Sequence, residues 1–480
     1  MGTKKFSVKY CVLLPLVLLI TIFLLAVPTS FFGIEGLTVL QQRTIALFVF
    51  AALMWIFEII PSWTTSVLII VLALLMLSNK GLGFLMVDAS GEKLEGIMNY
   101  TKIMSAFADP VVMLFLGGFA LAIMAQKYGL DVTLARVLLK PFGTNPKMVL
   151  LGFLTVIAVF SMFMSNTATA AMMLTFLTPV LMTLPADGGG RISFALAIPI
   201  AANLGGMGTP IGTPPNAIAL GALQEAGFNI TFVGWMIRMV PFVIVMLVFA
   251  WFLLTKMFPF KAKTIELKIE GAPVKVTPFQ KYVVWFTFAL TILLWVFEGL
   301  IGVNSNIVAM IPFAVFSATG ILKARDLEHI NWAVLWMVAG GFALGTALNQ
   351  TGLATTLINT IPFASWNALV VMLVGGFICY FLSNFISNSA AANLVVPILI
   401  VVGKAMAGNP SFEALGGIPS MIAGIAICAS VAMCLPVSTP PNALAASTGM
   451  ISTKQMATVG IIIGVVGFIL GYAMLIFVGF

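Results

Sequence analysis

Charge is what this sequence has least of: lysine, arginine, aspartate and glutamate together make up 8% of its 480 residues, against roughly 25% in soluble globular chains. With 61% hydrophobic residues and a mean hydropathy of +1.15, that scarcity excludes a water-soluble fold and indicates an all-α polytopic membrane protein. Histidine is scarcer still. The only one, His329, stands beside Arg325, Asp326 and Glu328 at a helix start and reads as a solvated loop residue. No HExxH or Gly-x-Ser-x-Gly motif occurs, so an intramembrane hydrolase with Ser165 or Ser387 as nucleophile would lack its base. Cys11, Cys379, Cys428 and Cys434 lie in apolar runs without pairing or metal-ligand spacing, as small core residues do. The net charge of +8 does not point to nucleic acid, because the basic residues sit mostly in short loops, where the positive-inside rule accounts for them.

Against this apolar background two polar knots stand out, Ser161-Met162-Phe163-Met164-Ser165-Asn166-Thr167 and Ser383-Asn384-Phe385-Ile386-Ser387-Asn388-Ser389. Unpaired hydroxyls and amides at membrane depth cost several kcal/mol, so these groups must coordinate something. Downstream of each comes a second paired motif, Pro210-Ile211-Gly212-Thr213-Pro214-Pro215-Asn216 and Pro436-Val437-Ser438-Thr439-Pro440-Pro441-Asn442. A double proline removes backbone donors and breaks the helix, which frees carbonyls inside the bilayer. Two further echoes precede the knots, Trp55-Ile56-Phe57-Glu58 with Trp295-Val296-Phe297-Glu298 and Gly117-Gly118-Phe119 with Gly340-Gly341-Phe342. Gly118 and Ser165 are 47 positions apart and Gly341 and Ser387 are 46, so the copies are in register.

These motifs divide the chain. Residues 1–40 hold a first span and loop. Residues 41–256 form a first repeat, with a re-entrant hairpin over about 148–184 and a broken helix over about 192–223. A cytoplasmic linker, 257–280, carries Lys261, Lys263, Lys268 and Lys275. Residues 281–480 form the second repeat, with a hairpin over about 367–403 and a broken helix over about 420–446. About 11 transmembrane helices plus two re-entrant hairpins follow. An odd number of crossings per half makes the repeats inverted, the plan of secondary transporters. Between Gln126 and Lys147, charges alternate with Leu130, Leu134, Val137 and Leu138, the pattern of an amphipathic surface helix. On this topology only Arg43, Lys80, Lys93, Lys102, Arg238 and Lys404 lie outside. The other seventeen of the 23 basic residues lie inside, which puts the N-terminus in the cytoplasm and the C-terminus outside. Short loops suit a bacterial inner membrane.

Helix N-termini at the midplane suit an anionic oxygen. Freed carbonyls with Ser161, Ser165, Ser383 and Asn388 suit a hard cation such as sodium. No acidic pair, lysine or histidine sits in the knots or breaks, which argues for sodium coupling over proton coupling. Glu58 and Glu298, at span ends, read as structural. A channel remains an alternative to alternating access.

The doubled Ser-Asn-Thr-like motifs, each followed by Thr-Pro-Pro-Asn, resemble those of the divalent anion/sodium symporter family, whose INDY-type bacterial members are dicarboxylate transporters related to solute carrier family 13. The resemblance covers nearly the whole chain. It implies a homodimer in which a transport domain moves as an elevator against a scaffold, carrying a C4-dicarboxylate (succinate, malate or fumarate) with sodium at two sites or more. By position, one sodium would take Ser161, Ser165, Asn166 and the Gly212 carbonyl. The second would take Ser383, Asn388 and carbonyls near Ile386 and Ser438. Carboxylates would meet Ser165, Asn166, Thr167, Thr213, Pro214, Ser387, Asn388, Ser389, Thr439 and Pro440. Ser389 stands where the family usually has threonine, and Ser438 where the first half has Gly212; neither removes a presumed sodium ligand. A sodium-independent exchanger, and citrate or sulfate as substrate, are the alternatives.

Overall fold

The computed structural model describes residues 9–88, 90–185, 189–265 and 276–480. Lys4 and Lys5 of the expected cytoplasmic N-terminus, and Lys268 and Lys275 of the expected linker, lie outside the described residues. Apart from two isolated bridges, Ser78 with Met98 and Val87 with Lys93, no strand forms among the described residues. After α1 (Leu14–Ala26), the helices fall into two runs of equivalent members. The first run is α2 (Val39–Phe57), α3 (Ser62–Leu77), α4 (Pro110–Lys127), α5 (Leu130–Leu139), α6 (Pro146–Phe163), α7 (Asn166–Thr183), α8 (Gly189–Gly206), α9 (Pro214–Glu225) and α10 (Phe232–Met257). The second is α11 (Pro278–Val296), α12 (Ser305–Ala318), α13 (Trp332–Gln350), α14 (Leu353–Thr360), α15 (Ala368–Phe385), α16 (Asn388–Met406), α17 (Gly417–Val431), α18 (Pro440–Ser447) and α19 (Thr453–Val478). Among the described residues, nine helical segments are long and apolar enough to cross a membrane, and four more are apolar but shorter. The chain is a multi-pass, all-helical membrane protein.

Local sequence sets the boundaries. Thr38 and Gln41 close a reciprocal capping box on α2, and Thr277 and Gln280 do the same on its counterpart α11. Each Trp-x-Phe-Glu motif ends one of these helices. The Trp55 indole donates to the Ser62 carbonyl at 3.3 Å and the Trp295 indole to that of Ser305 at 3.1 Å, so both tie a helix end to the start of the next. Glu298 is buried, and its two carboxylate oxygens accept from the backbone N–H of Phe232 and Ser305, satisfying two helix-end donors. Glu58 sits at the end of α2 with φ +43°, in the left-handed region. Glu298 therefore serves as an end piece, as expected of an acid at a span end.

The stretch between α3 and α4 is partly folded back on the protein. Met98, Ile103 and Ala106 are buried, and two short helical turns, Tyr100–Met104 and Ser105–Ala108, pack against α13. The linker is likewise not wholly free: Ile265 is buried and bonded to the Thr144 carbonyl.

The helices pack in two groups. One holds α1–α4 with α11–α13, where α3 lies along α13 and α4 along α12; the other holds α6–α10 with α15–α19, where α6 lies along α8 and α17 along both α15 and α16. The short amphipathic α5 and α14 bridge them, each leaving the first group and touching the second. In α5, Leu130, Ala135 and Leu139 face inward, while Val137 and Leu138, two of the hydrophobics expected on its apolar side, are exposed.

The repeated Gly-Gly pairs mark both kinds of contact. A Cβ on Gly117 would meet the Ala309 carbonyl oxygen at 1.8 Å, and one on Gly340 the Ser66 Cβ at 2.3 Å; these glycines let helices of the same group touch. The second glycine of each pair faces the other group. A Cβ on Gly118 would meet Ile211 Cδ1 at 3.2 Å, and one on Gly341 would meet Asn393 Oδ1 at 2.0 Å.

Candidate functional site

The polar knots become two helix-turn-helix joints. Met164 and Ile386 leave the helix as extended residues that end α6 and α15. Ser165 Oγ then accepts from the Ala168 N–H at 3.2 Å and Ser387 Oγ from that of Ala390 at 3.3 Å, so the two serines cap α7 and α16. The double-proline motifs break α8 from α9 and α17 from α18. Four helix N-termini thereby converge on a central cavity of about 260 Å³, and all ten residues expected to meet the substrate line it: Ser165, Asn166, Thr167, Thr213, Pro214, Ser387, Asn388, Ser389, Thr439 and Pro440. The opposite wall comes from the other group, through Trp63, Phe115, Phe119, Asn331 and Met337.

These N-termini are not alike. α7 and α16 start with Asn-Thr and Asn-Ser and keep the first-turn N–H groups that a helix leaves unpaired. In α9 and α18 the first two positions are proline, so an anion there meets the dipole and side-chain hydroxyls rather than early amides. Proline at the first two positions of α9 and α18 thus leaves the earliest free N–H groups at only two of the four ends.

Of the expected cation ligands, Ser165, Asn166, Gly212, Asn388 and Ser438 line the cavity, while Ser161 and Ser383 lie behind its wall, wholly buried. Ser161 Oγ is 2.7 Å from the Ala202 carbonyl, and the inner end of the Asn166 amide is 2.6 Å from Ser161 Oγ, 3.0 Å from the Gly212 carbonyl and 3.2 Å from the Ala202 carbonyl. Nitrogen inward would share its two N–H groups among these oxygens; oxygen inward brings four oxygens together, the kind of ligand that a hard cation takes. The second half repeats the motif. Ser383 Oγ is 2.8 Å from Asn388 Oδ1 and 2.9 Å from the Ala429 carbonyl.

The carbonyls standing with these serines are thus those of Ala202 and Ala429, which the motif reading did not single out because alanine has no side chain to mark them. Ile386 is placed as the buried helix end beside Ser387. Ser438, the departure from glycine, donates its hydroxyl to the Asn384 carbonyl at 2.9 Å and so laces the second break to the second knot. Asn203, also missed, is a buried polar residue in apolar α8 and lines the cavity; its isolation in the run before Gly205-Gly206 was the available signal.

A second cavity, of about 460 Å³, shares Phe119, Ser165 and Asn331 with the first and widens toward Lys127, Asp326 and His329. Lys127 Nζ lies 2.6 Å from Asp326 Oδ2, joining the end of α4 to the turn before α13. Burial raises the Asp326 carboxyl, but the bonds from Lys127 and the Lys323 N–H outweigh it and hold the group below its ordinary value. His329 is exposed on the rim of this vestibule, as its charged sequence context suggested.

A citrate transporter family model (CitMHS) matches residues 52–416, a span that contains both knots and the first double-proline break. The chain belongs to this family. Among its relatives is an uncharacterized transporter of Haemophilus influenzae, 31% identical over 447 residues and matched across 88% of both chains. Another is the sodium-dependent dicarboxylate transporter SdcS of Staphylococcus saprophyticus, 28% identical over 452 residues, covering 87% of this chain and 82% of that one. Among solved structures, the YdaH transporter of Alcanivorax borkumensis superposes with a TM-score of 0.54 at 14% identity, over 87% of this chain and 99% of the other, which supports the fold. The resemblance to the divalent anion/sodium symporters is therefore a family membership, and the chain is a transporter, not an enzyme.

Proposed function

We propose that this transporter imports C4-dicarboxylates such as succinate, malate or fumarate together with sodium. The observation that carries the reading is the duplicated oxygen cluster at the cavity wall, Ser161–Asn166–Ala202–Gly212 in one half and Ser383–Asn388–Ala429 in the other. Two neutral oxygen cages beside four positive helix ends suit two cations with one anion and leave a proton relay unneeded. Two sodium ions balance a dianion; a third would let the membrane potential contribute about 2.3 kcal/mol per net charge per 100 mV. The central cavity, about 260 Å³, lies below the roughly 300–1,000 Å³ of drug-sized pockets, which favours a small anion. The relative named as a sodium-dependent dicarboxylate transporter points the same way, while the family description names citrate, so citrate belongs in any substrate panel.

The moving part would be the group α6–α10 with α15–α19, sliding as an elevator against the scaffold formed by α1–α4 and α11–α13, with α5 and α14 as arms. The two runs would be inverted repeats, with α6–α7 and α15–α16 as re-entrant hairpins entering from opposite faces. On the loop charges, the Lys127 end is cytoplasmic, so the wide vestibule would open inward. A homodimer joined through the scaffold would show twice the chain mass in detergent; a monomeric mass would exclude it.

Radiolabelled succinate uptake into proteoliposomes tests the coupling. Uptake is expected to require an inward sodium gradient and no internal substrate. Uptake indifferent to sodium but dependent on internal succinate would make the protein an exchanger. Ser161→Ala and Ser383→Ala should each raise the sodium concentration for half-maximal uptake about tenfold or more, because a charged partner loses an oxygen worth about 1.5–3 kcal/mol. Unchanged sodium dependence in both variants would remove these serines from the cation sites.

A further inference from the structure

The two double-proline breaks differ in one respect that the repeat does not predict. In the second break, Asn442 turns its Nδ2 toward the Met433 and Leu435 carbonyls, at 2.7 and 2.9 Å. Two acceptors on that side fix the amide, so Asn442 Oδ1 must face the other way, toward Asn203. Asn203 crosses from α8 and meets it with Nδ2, at 3.2 Å. The same Nδ2 donates to Thr439 Oγ1 at 3.1 Å, and the Asn442 backbone N–H donates to that oxygen at 3.3 Å. Both acceptor sites of the Thr439 hydroxyl are then filled, and its single proton has to leave in another direction. Thr439 lines the central cavity.

The arrangement carries a cost that a packing residue would avoid. With its nitrogen committed to Thr439 and Asn442, Asn203 leaves Oδ1 buried without a partner. The first half has no equivalent clamp. Asn216 Nδ2 is likewise held by carbonyls, those of Gly206, Met207 and Thr209. The residue that follows Ala429 as Asn203 follows Ala202 is Ser430, whose hydroxyl finds no partner; Asn216 Oδ1 has none either. Thr213 makes no capping bond.

We propose that Asn203 is a positioning residue for the transported anion: it fills the acceptor sites of Thr439 and so commits that hydroxyl's proton to a substrate carboxylate, while Thr213 stays free to adapt. One end of the substrate thereby meets a donor fixed in advance and the other meets an adjustable one. This rests on the reading that the cavity holds a transported anion.

The test uses the full-length protein in proteoliposomes, with succinate, citrate and sulfate as probes, comparing wild type with Asn203→Ser, Thr439→Val and the double variant; Asn203→Ala repeats the measurement independently. Asn203→Ser should raise KM about tenfold with little change in maximal rate and none in the sodium concentration for half-maximal uptake. Thr439→Val should do the same, and the double variant should be no worse than Thr439→Val alone. Equal KM in wild type and both Asn203 variants, or fully additive effects in the double variant, would overturn the positioning role while leaving transport itself intact. Failure of the wild type to move any of the three anions would overturn the transport reading and this inference with it.

Discussion

A disulfide between positions 341 and 393 should stop transport, and reduction should restore it. α13 and α16 belong to different helix groups, yet the Asn393 amide donates to the Met337 carbonyl at 3.0 Å, and a Cβ on Gly341 would lie 2.7 Å from Asn393 Cγ. Gly341→Cys with Asn393→Cys, in a chain whose four native cysteines are replaced, would place two thiols within bonding reach. If one group must slide past the other to carry substrate, the covalent link holds the protein in the arrangement seen here. Uptake is then expected to fall to background after oxidation and to return with a reductant, while each single cysteine variant stays active. Cross-linked protein that transports at the uncross-linked rate would rule out sliding at this contact and favour a gate confined to the hairpins.

Gly212→Ala should abolish uptake, whereas Ser438→Gly at the matching position should be mild. A Cβ on Gly212 would lie 2.3 Å from the Gly206 carbonyl oxygen and 2.9 Å from two further Gly206 backbone atoms, so no side chain can swing aside to make room. The break would have to open, carrying with it the Gly212 carbonyl that stands 3.0 Å from the Asn166 amide. Loss of the proposed first cation site is the expected result, read as uptake more than about a hundredfold down, on the order of 3 kcal/mol for a charged contact broken. The second half tolerates a side chain because its break is built differently. From Ala429 to Asn442 is 13 positions, against 14 from Ala202 to Asn216, and the Ser438 hydroxyl accepts from the Leu435 N–H and donates to the Asn384 carbonyl. Removing that hydroxyl forfeits about 1 kcal/mol, a change of about fivefold in apparent affinity. Gly212→Ala that transports normally with an unchanged sodium requirement would show that the Gly212 carbonyl is no ligand.

Much of the architecture was legible in the sequence, because apolar runs and proline positions act locally. Scarce charge placed the chain in a bilayer, the double prolines located the breaks after α8 and α17, and the in-register motifs paired the helices of the two runs. The capping boxes and the ends of α2 and α11 follow from the same local rules. The polar knots stood out because a polar residue in an apolar run marks itself, and the ten residues that the family resemblance implies for the substrate line one cavity.

The sequence alone settled the class of protein and located the polar knots and the double-proline breaks that line the cavity. Tertiary structure decided what depends on groups without a sequence signature or on partners far along the chain. The carbonyls of Ala202 and Ala429 belong to residues that look like filler. The clamp on Thr439 joins positions 236 residues apart. The division of labour within each Gly-Gly pair, one glycine against its own group and the next against the other, depends on which helices lie alongside. Local patterns report torsional preference and burial. The direction of a carbonyl, an amide or a hydroxyl proton is set only when distant segments meet and each donor has to find its acceptor.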